Sequence, residues 1–398
     1  MIDPKHFIDD FSAHSPFEVF YKSGIKPEDI KHCIIETLTP HFQNHDRLAE
    51  YAMTWLITGW VNFLKLQQSK WHIDNFEKVL QLFNNAKSRD KQRCLSIFVD
   101  WLPEINQSLS RFWSFKNMER NSSGELILDD YLQENMRLIG QLLEGIIKTY
   151  LKLLLELNRF VRGKINSTGE TSNMDLGAVM DELVATTNFP DLFCPPPWHL
   201  KLNQWRNIAY HHNAKVEKER ILCWYGKKPN INTIILTRSE LLDVVKCIFN
   251  IYNIFKNVEF IFVFDNLPEY QKECKNKGID FNLRDEAEIL ELFTGINSQG
   301  FKIIDFSKEE NISKIVIEDL TDEDAKRRAI HSSQFLYQLW FYTHAANLCI
   351  EYRLKDGTPY IISKTNEEIC RKIATHEEDI VYLAENVEFV FLRDDRVK

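Results

Sequence analysis

The sequence has no Cys-x-x-Cys pair, no Gly-x-Gly-x-x-Gly turn and no Gly-x-x-x-x-Gly-Lys-Ser/Thr loop. Its eight cysteines, at positions 33, 94, 194, 223, 247, 274, 349 and 370, are scattered along the chain. Such spacing excludes a zinc knuckle or a dense disulfide framework, and it fits free thiols in a reducing compartment, the cytoplasm. Thirteen dispersed glycines leave no phosphate-cradling loop, so the common nucleotide-binding folds have no fingerprint here. The His-x-x-x-His pair His41 and His45 follows Pro40 and lacks the glutamate of a metalloprotease helix. It reads as a surface or helix-start pair, and neither a metal nor a cofactor is expected. No uninterrupted apolar run reaches membrane-spanning length, and Met1 to Ser12 lacks a charged start followed by an apolar stretch. Neither a membrane association nor a secretory leader is expected. A positive balance is missing too: 49 basic residues stand against 58 acidic ones, and the net charge of −9 excludes binding of nucleic acid through overall charge.

What is present is an ordinary globular composition, 44% hydrophobic and 27% charged, over 398 residues, enough for two or three domains. The pattern predicts a mainly α protein in three parts. Residues 1–117 read as a helical domain, with spaced apolar residues over Ile30 to Leu38, Asp46 to Leu66, Ile73 to Phe83 and Asp90 to Phe112. Trp55, Trp60, Trp101 and Trp113 lie in or beside these faces and read as core, not as base-stacking surface. Lys116 to Glu125, with Asn121-Ser122-Ser123-Gly124, is the linker candidate.

Residues 125–257 read as four helices and a hairpin. Tyr131, Met136, Leu138, Leu142, Leu143, Ile146, Ile147, Tyr150, Leu151, Leu154, Leu155 and Leu157 recur mostly at three- and four-residue intervals, which predicts a long buried helix. The Gly/Ser/Thr/Asn-rich stretch Gly163 to Asn173 ends it, and Asp175 is placed to cap a second helix through about Thr187. Pro195-Pro196-Pro197 then launches a third, from Trp198 to about His212. Ile221 to Tyr225 and Thr233 to Leu236 predict two strands around a turn at Gly226 to Asn230. A final apolar helix, capped by Thr237 or Ser239, is expected to end near Lys256. Residues 258–398 change character and predict an α+β (or α/β) domain. Strands are expected at Val258 to Phe264, Phe301 to Phe306, Lys314 to Ile317, Tyr360 to Ile362 and Val387 to Leu392, with a long helix from about Asp322 to Tyr352.

The most informative segment is Trp205-Arg206-Asn207-Ile208-Ala209-Tyr210-His211-His212. Arginine keeps its charge and presents a planar fork to phosphate oxygens. Histidine, with an ordinary pKa near about 6.5, exchanges protons close to neutrality. Asn207 and His211 are i, i+4 neighbours on one helix face, whereas Arg206 lies about 140° from His211. Either the helix frays over Tyr210 to Asn213, or the two groups meet across a dimer interface. His212 falls within the same window and shares the candidacy. Arg371 to His376 repeats the Arg-x4-His spacing, but with lysine after the arginine and no helical bundle around it.

With its helical surroundings, the segment resembles the R-x4-6-H motif of the HEPN family, over roughly residues 129–257. The resemblance implies a metal-independent endoribonuclease that forms homodimers through the HEPN-like domain, with two motif copies facing one cleft. It implies that His211, or alternatively His212, acts as general base on the ribose 2′-hydroxyl. Arg206 would steady the scissile phosphate and Asn207 would orient one of them, leaving 2′,3′-cyclic phosphate ends. One subgroup of the family carries a tyrosine two residues after the histidine; this chain has Asn213 there. Between Trp198 and Lys228 there are seven basic residues, Arg206 with Lys201, Lys215, Lys218, Arg220, Lys227 and Lys228, against two acidic ones. The six around Arg206 are the candidate RNA contacts, a local excess able to hold a phosphate backbone on an acidic protein. The alternative is a non-catalytic HEPN-like protein that binds RNA, nucleotide or a partner. In either case the C-terminal domain is a candidate sensor of a ligand or protein trigger in stress or antiviral defence.

Overall fold

The computed structural model describes residues 8, 15–53, 55–119, 126–164, 168–227, 229–279 and 285–392. The chain is mainly helical, with one three-stranded and one five-stranded sheet among the described residues. Its internal contacts gather into two compact units. One comprises Met1–Pro40, Leu48–Trp60 and Leu283–Lys398; the other comprises His41–Arg47 and Val61–Asn282. This differs from the expected division at 117 and 257. The boundary at 257 falls inside a continuous helix, Arg238–Asp265, and much of the N-terminal segment belongs with the C-terminal one. The expected linker lies mostly outside the described residues, and 116–119 continue the helix Leu102–Glu119.

The larger unit contains the motif. Helices Lys70–Arg89, Lys91–Asp100 and Leu102–Glu119 precede the long apolar helix expected from the spacing. That helix runs as Leu128–Leu142, a π-helical turn Leu143–Ile147, and Lys148–Val161. Leu142, Leu143, Ile147, Leu151 and Leu155 are fully buried along it. Asp175 does cap the next helix, Leu176–Thr186, by accepting the Ala178 amide N–H. The motif helix is Leu202–Tyr210, and it leads into an antiparallel sheet of β1 (Ala214–Glu217), β2 (Arg220–Lys227) and β3 (Asn230–Leu236). Thr237 then starts Arg238–Asp265 through a capping box with Glu240, each side chain accepting the other's backbone N–H.

The segment Val258 to Phe264, expected as a strand, is the C-terminal part of this helix. No glycine or proline interrupts Arg238–Asp265. Val258, Ile261 and Phe262 are buried at three- and four-residue spacing, so the helical period prevails over β propensity. Glu259 accepts from the Tyr150 hydroxyl at 2.8 Å, which satisfies a buried carboxylate. At the helix end, Asp265 accepts the backbone N–H groups of Gln43 (2.9 Å) and Asn44 (2.7 Å) and pairs with Lys87 (3.1 Å). Among the described residues this is the one helix long and apolar enough to cross a membrane by length and composition, and 56% of its most apolar window is buried within the protein. It is a core helix.

Glu182 fastens Leu176–Thr186 to the end of Lys148–Val161. Arg159 Nε donates to both Glu182 oxygens at 3.0 Å, and Arg162 donates to Oε1. Hydrogen bonding from Arg159 holds the Glu182 carboxyl down at about 2, outweighing partial burial. A depressed folded-state pKa stabilises above the ordinary carboxylate value, and the stabilisation disappears as pH falls through the folded value. Unfolding midpoints should therefore drop between pH 4.5 and about 2. Glu182→Gln should flatten that window and cost on the order of 2 kcal/mol at neutral pH, after discounting for solvent screening. A Gln variant with an unchanged pH profile would show that Glu182 is not the group responsible.

The smaller unit is built on a mixed sheet ordered β4 (Phe301–Lys308), β5 (Ile312–Asp319), β6 (Asn347–Arg353), β7 (Pro359–Asn366) and β8 (Glu388–Phe391). β5 and β6 are parallel and the other neighbours antiparallel, which makes the unit α+β. The expected long helix from Asp322 is instead two short ones, Ala325–Ser332 and Phe335–Thr343, forming the crossover from β5 to β6. His344, at φ 51°, ends the second. Beyond it Leu348, Ile350 and Tyr352 are buried in alternation, the period of a strand. Phe335, Leu336 and Leu339 fill the core beneath, Tyr337, Trp340 and Tyr342 pack partly against it, and Phe341 is exposed. Trp60 and Trp101 are buried and Trp55 is exposed; the side chain of Trp113 lies outside the described residues.

Candidate functional site

The motif helix buries Leu202, Trp205, Ile208 and Ala209, which turns Arg206, Asn207 and Tyr210 outward along its other face. Gly140 allows the close approach: a Cβ there would meet the Tyr210 ring at 3.2 Å. The Arg206 guanidinium lies 5.4 Å from the Tyr210 ring centroid. Its Nε donates to Glu144 Oε2 at 3.0 Å, and its Nη1 donates to Asn207 Oδ1 at 3.1 Å. Glu144 also accepts from Lys148, so one carboxylate joins two cations. Partial burial raises the Glu144 carboxyl, but Lys148 and Arg206 more than offset this and leave it below the usual carboxylate range.

Glu144 and Lys148 are the site residues that sequence reasoning missed. The available signal was an acidic residue and a lysine at i, i+4 amid Leu142, Leu143, Ile146 and Ile147. Glu144 sits in the π-helical turn, a local insertion often found where a helix serves a site. Arg111 donates to the Gly145 carbonyl in the same turn at 3.2 Å.

The helix does end where fraying was considered, at Tyr210. His211 is its C-cap, with φ −96° and ψ 9°, and its N–H donates to the Asn207 carbonyl at 3.0 Å. The His211 side chain is exposed and has no hydrogen-bond or ion-pair partner among the described residues. Arg206 bonds to Glu144 and Asn207 within its own chain and not to His211. Three of its five N–H donors therefore remain open to an incoming anion.

His212 adopts φ 51°, and the N–H of Asn213 reaches back to the Ile208 carbonyl at 3.0 Å, the six-to-one bond of a Schellman cap. A side chain in the left-handed region costs about 1 kcal/mol, which glycine avoids. His212→Gly should accordingly raise stability by about that amount in denaturant melts. It also separates the two candidate bases, because cleavage that survives His212→Gly leaves the role to His211.

The basic neighbourhood is less open than its composition suggests. Lys201 pairs with Asp181 at 2.7 Å and Lys215 with Glu217 at 3.1 Å. Lys218 and Glu219 form the left-handed turn between β1 and β2, and Arg220 is exposed beside it. Lys227 ends β2, but its side chain, like the whole of Lys228, lies outside the described residues. Glu144 and Asp181, both outside the 198–228 window, enter the site and reduce its positive excess. His41, from the His-x-x-x-His pair, packs edge-on against Phe63 and Phe76 at 5.1 Å, and burial lowers its pKa. Arg371 lies in the short helix Glu367–Ala374, and His376 beyond it is followed by Glu377, Glu378 and Asp379, which repel phosphate. Among the buried thiols, desolvation pushes Cys94, Cys223 and Cys370 up to about 12, a range unsuited to nucleophiles. No family model, no curated protein and no solved structure matches this chain.

Proposed function

We propose that the protein is a metal-independent endoribonuclease of the HEPN type, acting in the cytoplasm. The observation that carries this reading is the exposed His211 at the end of the motif helix, five residues after an arginine that the half-buried Glu144 carboxylate holds in place. His211 would remove the proton from a ribose 2′-hydroxyl. The open donors of Arg206 would bind the phosphate as charge builds on it, with Asn207 fixing the guanidinium through Oδ1. RNA supplies its own nucleophile, so the expected ends are 2′,3′-cyclic phosphate and 5′-hydroxyl. Purified protein incubated with total RNA and a chelator tests this, with the termini identified by phosphatase and kinase sensitivity. Fragments bearing 3′-hydroxyl and 5′-phosphate ends would rule out this chemistry.

A second reading, a non-catalytic RNA-binding or interaction protein, is favoured by the ion pair of Arg206 with Glu144, which is also how a purely structural arginine is held. It predicts binding without turnover and no change of function in the double variant Arg206→Ala/His211→Ala.

A further inference from the structure

The motif helix carries two aromatic residues, and the fold places them differently. Trp205 is buried at 1% exposure, whereas Tyr210, on the last turn, is 47% exposed. Leaving half of a ring in water forgoes part of the stabilisation that burial would give it. The exposed ring is nevertheless held. Gly140, on the helix Leu128–Leu142, lets it lie against the backbone: a Cβ there would be 3.2 Å from the Tyr210 Cε2 and 3.4 Å from its Cζ. Arg206, at i, i+4 on the same face, places its guanidinium 5.4 Å from the ring centroid. The two helices thus meet in a ladder, Gly140 facing Tyr210 and, four residues further along, Glu144 facing Arg206. The Tyr210 hydroxyl has no hydrogen-bond partner among the described residues.

We propose, resting on the nuclease reading above, that Tyr210 is the stacking platform for a nucleobase beside the scissile phosphate, and that the substrate is RNA unpaired at that step. A nucleotide carries a base and a phosphate at two ends of one sugar. The site offers a ring and an arginine fork separated by about 6 Å of helical rise. The open donors of Arg206 take the phosphate, and the exposed part of the ring is left for the adjacent base. His211 follows Tyr210 directly, which keeps the proton acceptor one residue from the platform. Attack requires the 2′-oxygen to line up with the P–O5′ bond, so that the 2′-O–P bond forms as the P–O5′ bond breaks. The regular A-form stack prevents that alignment, and the base at the reacting step has to leave it. An aromatic side chain replaces the stacking given up, and it accepts every base, so the preference is for unpaired RNA and not for one sequence.

Binding of the full chain to short 2′-fluoro RNA, which has no attacking hydroxyl, tests this by fluorescence anisotropy. Wild type should bind the single strand more tightly than the same strand annealed to its complement. Tyr210→Ala, with unchanged circular dichroism, should weaken single-strand binding on the order of tenfold and narrow the difference from duplex. Tyr210→Phe keeps the ring and should recover most of that loss. In a scan that removes one base at a time, one position should matter to wild type and cease to matter to Tyr210→Ala, because ring and base are then each other's partner. A Tyr210 that only supports the helix would give the same scan in both proteins. That result, or equal binding of the single strand by wild type and Tyr210→Ala, overturns the proposal, while the ends produced from natural RNA decide the nuclease reading separately. The expected scan together with intact natural RNA supports Tyr210 as a base platform and overturns the nuclease reading alone.

Discussion

His211→Ala is expected to lower chelator-resistant RNA cleavage by about 10²–10⁴-fold, the usual contribution of a positioned general acid or base. The loss should appear in kcat with little change in RNA affinity, because the imidazole is proposed to act on the reacting hydroxyl and not to anchor the strand. Arg206→Ala should lose both, since its open donors would bind the phosphate in the ground state and more tightly as charge accumulates. Glu144→Gln should give a smaller loss: the guanidinium keeps its charge and its bond to Asn207 but loses the charged partner at 3.0 Å. That ordering is specific to a positioning role for Glu144. A His211→Ala protein that cleaves as fast as wild type, with the same ends, would remove His211 from the mechanism. Equal activity in all three variants would point to a contaminating nuclease.

The sequence was most legible where one residue type has one local use. Asp175 caps the helix it was expected to cap, and of the two candidates Thr237 and Ser239 it is Thr237 that caps the last, because an oxygen side chain ahead of an apolar-periodic run has a short list of alternatives. Ile221 to Tyr225 and Thr233 to Leu236 lie in strands as expected, yet β1 passed unnoticed since Ala214-Lys215-Val216-Glu217 alternates too briefly to register. Val258 to Phe264 misled through its aromatic and β-branched content; only the packing of Val258, Ile261 and Phe262 decides for helix. The grouping of N-terminal residues with the last sheet was not legible either. It rests on contacts far apart in sequence, such as the Tyr21 hydroxyl on the Ser298 carbonyl and Lys302 on Glu18. At the candidate site, Arg206, Asn207 and His211 could be found by spacing. Glu144 was marked only by its i, i+4 spacing to Lys148; its link to Arg206 spans 62 positions and depends on a π-helical turn that no periodicity reveals.

Asp319→Ala or Arg328→Met should each cost about 3–5 kcal/mol, the range for leaving one member of a buried ion pair alone. Arg328 and Asp319 are both almost fully buried, in the unit containing β4 to β8. Arg328 Nε donates to Asp319 Oδ2 at 3.1 Å and Nη2 to the Gln299 carbonyl at 2.7 Å, with the guanidinium 3.8 Å from the Phe301 ring centroid. Asp319 further accepts from the Tyr352 hydroxyl at 2.7 Å and from the Thr321 N–H and hydroxyl at 2.9 Å. Gly300, at φ 84°, closes the site, because a Cβ there would meet Thr321 Cγ2 at 2.8 Å and Arg328 Nη2 at 3.1 Å. Every charged oxygen is thus satisfied, and removing Arg328 leaves a buried carboxylate without its paired cation. The double variant Arg328→Met/Asp319→Leu removes both charges and fills the space with carbon. It should therefore be more stable than the two single losses added together, although Tyr352 and Thr321 lose their acceptor. Hydrogen exchange at Ile315 to Ile317 in β5 and Ile350 to Tyr352 in β6, read beside denaturant melts, locates the effect in this unit. Additive losses in the double variant would mean that the pair contributes packing and not a coupled buried charge.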